Sequence, residues 1–137
     1  MIIKVTTDKE RVKSMIKLIL DRERFISKID INEFSTIATE NYYEIIKELS
    51  TVLLLLEGLK ATGEGAHKEL INYLNTFKEF SEYEINLLDD LRIKRNKSSY
   101  EGKQVDKSYL ENKKEKILNI INKQKRIIDK KLNRWGE

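Results

Sequence analysis

The sequence predicts an all-α fold: an antiparallel up-down bundle of four to five helices that forms a single domain over residues 1–137. The chain has no proline, five glycines and 36% charged residues, a composition that favours long helices with short connections. Apolar residues recur at the three- and four-residue spacing of a helix face. At Thr7, Ser81 and Ser108 a hydroxyl residue is followed three residues later by glutamate, which is the pattern of a helix capping box.

The first half of the chain predicts two long helices. Residues 1–6 alternate weakly between apolar and polar and are expected to form a short extended arm. Helix 1 is predicted from the box at Thr7 to about Lys28, and helix 2 over about residues 33–61. Five consecutive apolar residues at 52–56 leave helix 2 no polar side there, which predicts a central place in the bundle. The apolar face predicted for helix 1 consists of Val12, Met15, Ile16, Ile19, Phe25, Ile26 and Ile29.

The second half predicts three more helices. A glycine-rich turn at residues 62–66 precedes helix 3, which is expected to begin at about His67. Helix 4 is predicted over about residues 82–99, with Gly102 ending it, and helix 5 over about residues 108–134. The apolar stripe predicted for helix 5 consists of Leu110, Ile117, Ile120, Ile121, Ile127, Ile128, Leu132 and Trp135.

The charge of the chain is unevenly placed. Residues 103–134 contain 11 Lys and Arg against four acids, a net charge of +7, while the remainder has 16 basic and 19 acidic residues, a net charge of −3. A basic C-terminal helix can attract phosphate polymers, although a solvated lysine-rich helix face explains the pattern equally well. Without cysteine, a signal-peptide core or a long apolar run, the chain is expected to be soluble, cytoplasmic and not bound to a membrane.

The sequence offers no recognisable metal, cofactor or nucleophile site. His67 is the only histidine and cysteine is absent, so di-iron, zinc and Cys-His arrangements lack their ligands or partners. The glycines near residue 63 lack the Gly-Lys-Ser/Thr ending of a phosphate loop. They nevertheless place His67 at a helix N-terminus, where an anion is favoured. His67 is therefore a candidate ligand-binding residue, with an ordinary polar position at a helix start as the alternative.

The end of helix 4 carries the most informative pattern. Arg95 takes the next position on the apolar ladder of helix 4 after Leu91, so a guanidinium is expected where the chain is buried or meets a partner. An arginine, an amide, hydroxyls and a phenol at one helix end suit a phosphate-sugar ligand. The alternative is that Arg95 pairs with an acid such as Asp90 or Glu101. The candidate ligand-binding residues here are Arg92, Arg95, Asn96, Ser99 and Tyr100.

Arg95 and Asn96, followed by three residues, an aromatic residue and then Glu101-Gly102, resemble the Arg-polar-x-x-x-His/Tyr motif of HEPN domains. Residues 43–49, 59–60 and 63–70 are also similar to small archaeal HEPN proteins, and the likeness extends over about residues 34–121. The resemblance implies a helical bundle that forms a homodimer around a shared cleft. It also implies RNA or nucleotide as ligand, no cofactor, and a minimal nucleotidyltransferase as a possible partner in a toxin-antitoxin-like system.

The resemblance assigns phosphate binding to Arg95 and places Tyr100 where catalytic family members have histidine. A phenol with a pKa of about 10 is poorly ionised at pH 7 and is a weak general base. The sequence therefore predicts a HEPN-like protein that binds nucleotide or RNA and is weakly catalytic or non-catalytic. Two alternatives stay open: a metal-independent endoribonuclease toxin in which Arg95 acts with Tyr100 or His67, and a structural helical module without a nucleic-acid ligand.

Overall fold

The computed structural model describes residues 1–135, apart from the side chain of Trp135. The chain is mostly helical, with one small sheet, and the prediction of a helical bundle is confirmed at that level. In chain order the elements are β1 (Ile2–Lys4), α1 (Lys9–Lys28), α2 (Ser35–Leu56), β2 (Leu59–Ala61), α3 (Ala66–Leu74), α4 (Glu82–Glu101) and α5 (Lys107–Trp135).

Helix α2 is the centre of the bundle, as its apolar run predicts. It packs against α1, α4 and α5 as well as α3 and β2. Residues 52–55 are each at most 2% exposed, because neighbouring helices cover every side of α2 there. The other helices of the bundle therefore pack around α2.

Contacts between helices give their directions. Thr7 and Arg22 contact residues 55 and 48 of α2, so α1 and α2 are antiparallel. Arg95 and Ser98 contact residues 44 and 40, so α4 is also antiparallel to α2. Gln124 of α5 is fully buried and donates hydrogen bonds to the Ile46 carbonyl and the Ser50 hydroxyl of α2. Lys131 of α5 contacts Glu57 at the end of α2, so α5 runs parallel to α2. The four long helices thus alternate in direction along the chain, with α3 in the connection between α2 and α4.

The prediction that helix 2 continues to residue 61 is wrong. Gly58 adopts a left-handed backbone conformation with φ of +71°, which ends α2 and which residues with a Cβ rarely adopt. The chain then runs antiparallel to the N-terminal arm as β2, with Ile3 opposite Lys60. Because Leu59 continues the apolar spacing of α2, its sequence pattern does not distinguish a strand from a helix.

The three capping-box predictions have different outcomes. Ser81 and Glu84 form the predicted box at the start of α4. The box at Thr7 is wrong, because Asp8 caps α1 by accepting from the Arg11 amide while the Thr7 hydroxyl donates to the Leu55 carbonyl. Ser108 lies inside α5 rather than at its cap, since that helix begins one residue earlier.

The predicted apolar faces are largely buried, with one clear exception. Phe25 is 48% exposed, whereas Val12, Ile19 and Ile26 form the buried side of α1. The predicted stripe of α5 is buried through Ile128, while Trp135 has its side chain outside the described part of the chain. Among the described helices, none combines the length and apolar character needed to cross a bilayer.

Candidate functional site

The end of α4 is held in place by its own terminal signals. The Ser81 capping box begins the helix, and Gly102 ends it with φ of +69° and an amide that donates to the Ser98 carbonyl. Leu87, Leu88 and Leu91 pack into the core at 5% exposure or less. Because Arg95 follows Leu91 by one helical turn, its side chain is also directed toward α2.

Arg95 forms an ion pair that the sequence pattern did not identify. Its Nη2 lies 2.9 Å from Glu44 Oε1 on α2, and the two side chains are only 18% and 16% exposed. Nη1 donates to Asn96 Oδ1 at 3.3 Å. The guanidinium also lies over the Tyr43 ring, 5.8 Å from its centroid. The expectation that Arg95 pairs with an acid therefore describes the kind of contact, but the acid is on α2 rather than on α4.

Glu44 is the anionic centre of this region. Lys47 Nζ lies 2.7 Å from Glu44 Oε2 while Arg95 contacts the other carboxylate oxygen. Burial raises the pKa of Glu44, but the hydrogen bond and charge of Lys47 and the charge of Arg95 outweigh burial, so the pKa is lowered overall. Glu44 is therefore a carboxylate at neutral pH and holds both cations.

A second arginine lies one turn earlier on α4. Arg92 donates from Nε to Asp89 Oδ1 at 3.0 Å and places Nη2 2.9 Å from the same oxygen. Its side chain is 20% exposed, against 39% for Asp89. Arg92 and Arg95 thus keep their guanidinium groups on one side of α4, each against a carboxylate.

His67 joins the same region from α3. Gly65, with φ of +78°, turns the chain into this helix, and His67 is the second helical residue. Its ring centroid lies 6.1 Å from that of Tyr43. Burial lowers the pKa of His67, and the charges of Lys47 and Arg95 lower it further. The imidazole is therefore mostly neutral near pH 7.

Tyr43 connects the two sides of the region and was not among the predicted site residues. It is 2% exposed, and both the Arg95 guanidinium and the His67 ring lie against its ring. Burial raises the pKa of Tyr43 to about 12 despite the opposing charge of Arg95. The phenol is thus a neutral hydrogen-bonding group, and its aromatic face supports the arginine.

We call the resulting set of side chains from three helices the polar cluster. A depression of about 170 Å³ adjoins it, lined by Lys47, Lys60 and His67 among others. The arginine and histidine members, Arg92, Arg95 and His67, were among the predicted site residues, whereas Asp89 and the three α2 members were not. The signal for the α2 members was that Glu44 and Lys47 are polar residues shortly before the apolar run at 52–56, a property that Glu48 shares. The polar cluster consists of Tyr43, Glu44, Lys47, His67, Asp89, Arg92 and Arg95.

The remaining predicted site residues lie at the edge of the polar cluster or away from it. Asn96 contacts Arg95, whereas the Ser98 and Ser99 hydroxyls both donate to Glu40 Oε2, at 3.0 and 2.8 Å. Tyr100 is 77% exposed. Within the described part of the chain, Arg95 has its contacts with α2 and Asn96 and none with Tyr100. The two ends of the predicted motif are therefore not brought together within one chain.

The chain was compared with protein-family models, with curated proteins and with solved structures, and none of the three comparisons produced a match. The resemblance to HEPN domains therefore stays a prediction from the residues. The geometry of the polar cluster is what bears on function.

Proposed function

We propose that this chain is a HEPN-like protein that binds the phosphate of a nucleotide or of RNA at the polar cluster. The observation that carries the proposal is that basic side chains from three helices meet: Lys47 and Arg95 share Glu44, and the Arg95 guanidinium and the His67 ring both lie beside Tyr43. Arginine forks and lysine are the side chains best suited to phosphate oxygens. The cations are held rather than mobile, so little side-chain entropy is lost when a phosphate binds.

Glu44 determines how a phosphate would enter. The polar cluster contains three cations, Lys47, Arg92 and Arg95. They face two carboxylates, Glu44 and Asp89, so the net charge of the cluster is 3 − 2 = +1 with His67 neutral. A phosphate would have to displace Glu44 from one of its two cations, or bind at the exposed edge of Arg92 and Arg95. In either case Glu44 weakens binding while positioning the arginine before the ligand arrives.

The binding proposal is tested with a fluorescent nucleotide and a short labelled RNA. Arg95→Ala is expected to weaken binding about tenfold, since a charged hydrogen bond is worth about 1.5–3 kcal/mol. Arg24→Ala is the matched control, because Arg24 is an exposed arginine of α1, and is expected to change affinity less than about twofold. Equal affinities of Arg95→Ala and Arg24→Ala would reject phosphate binding at the polar cluster.

Weak or absent catalysis is part of the proposal, because Tyr100 is exposed and away from Arg95. One observation favours the ribonuclease alternative: His67 is mostly neutral at pH 7 and is influenced by Arg95, so it could accept a proton from a ribose hydroxyl. An RNA cleavage assay in EDTA separates the two functions. Cleavage that His67→Asn abolishes and Tyr100→Phe retains would establish the ribonuclease, whereas no cleavage by the parent chain would reject it.

A homodimer and a minimal nucleotidyltransferase partner belong to the same proposal. A dimer could place Tyr100 of one protomer near Arg95 of its partner, which one chain does not do. Light scattering during gel filtration would support the dimer by a mass twice that of the chain. A monomeric mass together with retained RNA binding would restrict the function to the single bundle.

A further inference from the structure

Helices α4 and α5 both pack on α2 but meet each other only lightly, so an open groove separates them. Two depressions of about 480 Å³ each follow one another along this groove. One lies between the end of α4 and the start of α5, and the other lies between the start of α4 and the middle of α5. We call this surface the lysine groove; its lysines are Lys94, Lys97, Lys103, Lys113, Lys116 and Lys123.

The charge of the lysine groove is strongly one-sided. Its six lysines face two lining acids, Asp106 and Glu84. Lys123 pairs with Glu84 at 2.7 Å, and Lys94 lies 3.9 Å from Asp90 beneath the groove. In the described part of the chain, the other four lysines have no carboxylate within 4.0 Å. Four cations are therefore not neutralised by a carboxylate, and one of them, Lys113, donates from Nζ to the Tyr83 hydroxyl at 2.8 Å.

Aromatic rings alternate with these cations. Lys113 and Lys116 lie 5.2 and 5.9 Å from the centroid of the Tyr83 ring, which is 48% exposed. Lys94 lies 4.8 Å from the centroid of Tyr109. Tyr100, one helical turn after Lys97, is 77% exposed. Cations that follow a phosphate chain, with exposed rings on which bases stack, are the features of surfaces that bind single-stranded nucleic acid.

We propose that the lysine groove binds the backbone of single-stranded RNA, with Tyr83 and Tyr100 as stacking surfaces. The neutral lining residues Gln104, Ser108 and Asn112 offer donors and acceptors to the ribose 2′-hydroxyl, which distinguishes RNA from DNA. This goes beyond phosphate binding at the polar cluster, because it uses the opposite side of α4 and requires neither Arg95 nor His67.

The experiment measures fluorescence anisotropy of an unstructured, labelled RNA of about 16 nucleotides, the upper site size of single-strand binding folds. The test variant is K97E/K113E, which reverses one charge on each wall of the groove. The control is K17E/K130E, which makes the same change of net charge at two exposed lysines outside it. Circular dichroism of each variant verifies the fold. The groove variant is expected to lose affinity about tenfold or more, and the control less than about threefold.

The salt dependence supplies a second readout. Each phosphate neutralised contributes about 0.7 to the slope of log affinity against log salt for single strands. Loss of Lys97 and Lys113 should therefore reduce the steepness by about 1.4, with little change for K17E/K130E. Equal affinity and slope for the folded groove variant and the control would overturn the proposal.

Competing ligands test the RNA assignment. Duplex RNA and inorganic polyphosphate are expected to bind more weakly than the single strand, because neither presents unstacked bases. Single-stranded DNA of the same sequence is also expected to bind more weakly, and equal binding would overturn the role given to the 2′-hydroxyl. Loss of affinity for this RNA in K97E/K113E together with retained affinity for the labelled nucleotide would separate the groove from the polar cluster. If Arg95→Ala abolishes RNA binding while K97E/K113E does not, the RNA lies at the polar cluster and the groove proposal is wrong.

Discussion

The two sides of α4 both carry cations, but they present them differently. Toward α2, Arg92 and Arg95 each lie 2.9 Å from a carboxylate and are no more than 20% exposed. Toward α5, Lys97 of α4 and Lys103 of the following loop are exposed and, in the described residues, have no carboxylate partner. The arginines that face α2 are therefore neutralised by ion pairs within the chain, whereas the lysines that face α5 are exposed to solvent.

The difference shows that charge counted along a sequence is not the charge available to a ligand. The net +7 of residues 103–134 suggests that the basic character belongs to α5 alone. In the described part of the chain, the four groove lysines without a carboxylate partner come from α4, the connecting loop and α5 together. Pairing across helices, rather than composition, decides which surface attracts anions.

The largest expected effect concerns Tyr43, which lies on the paired side. Its pKa of about 12 in the folded chain exceeds the ordinary value of 10. The neutral phenol therefore contributes to the free energy of unfolding fully below pH 10, and this contribution is lost as the pH rises through 12. This contribution to the free energy of unfolding is about 2–3 kcal/mol. Denaturant unfolding at several alkaline pH values should show a shallower decline for Tyr43→Phe than for the parent chain. Parallel declines would place the alkaline sensitivity elsewhere.

Removing one cation from each side compares their structural value directly. Arg95→Ala is expected to lower the free energy of unfolding by about 1–2 kcal/mol, because Glu44 loses one of its two partners in a largely buried position. Lys97→Ala should change it by less than about 0.5 kcal/mol, as for exposed substitutions generally. Urea unfolding of both variants measures the difference. Similar small changes would mean that the Arg95 pair is no more important than a surface pair.

Glu44→Gln is expected to remove the negative charge that pairs with Arg95 and Lys47. It leaves Arg95 and Lys47 without their shared carboxylate, so nucleotide affinity should rise about three- to tenfold at low salt. The free energy of unfolding should fall by about 1 kcal/mol, because Arg95 and Lys47 lose their charged partner. Titration of a labelled nucleotide checks the first effect and urea unfolding the second. A decrease in affinity would show that the pairing with Glu44 is required for binding.

The smallest expected effect is the acid response of His67. Its pKa in the folded chain is below the ordinary 6.5, so the unfolded chain binds the proton more readily. The associated stability is present above pH 6.5 and is lost as pH falls toward the lowered value. His67→Asn should flatten this part of the stability profile. Direct NMR titration of the single histidine provides the sharper measurement, and a midpoint at or above 6.5 would contradict the assigned environment.

Much of the fold could be predicted because its signals are local. The Ser81 box, the Gly102 stop and the apolar run at 52–56 depend on neighbouring residues, and each has its predicted outcome. The end of α2 at Gly58 has the same kind of local glycine signal as Gly102 and was missed. The strand that follows could not be predicted, because it exists only through pairing with β1, more than fifty residues away. Local spacing carries no information about such a partner.

The position of the site residues on α4 could be predicted from the sequence, but their contact partners on α2 could not. Helical period placed Arg95 toward the interior, as found. Its partner Glu44 and its support Tyr43 come from α2, and no spacing rule selects these two residues from the others on that helix. The 77% exposure of Tyr100 likewise does not follow from the spacing of the motif. For these positions the information lies in tertiary packing.

The buried Gln124 has a consequence for alignment. Its Nε2 donates to two oxygens of α2, while its Oε1 is buried with no hydrogen-bond partner in the described part of the chain. A slip of α5 by one turn, about 5.4 Å, would leave Nε2 unsatisfied as well, at a cost of about 1–3 kcal/mol. The hydrogen bonds of one amide thus favour a single register of α5 on α2. That register also determines which lysines of α5 lie opposite those of α4.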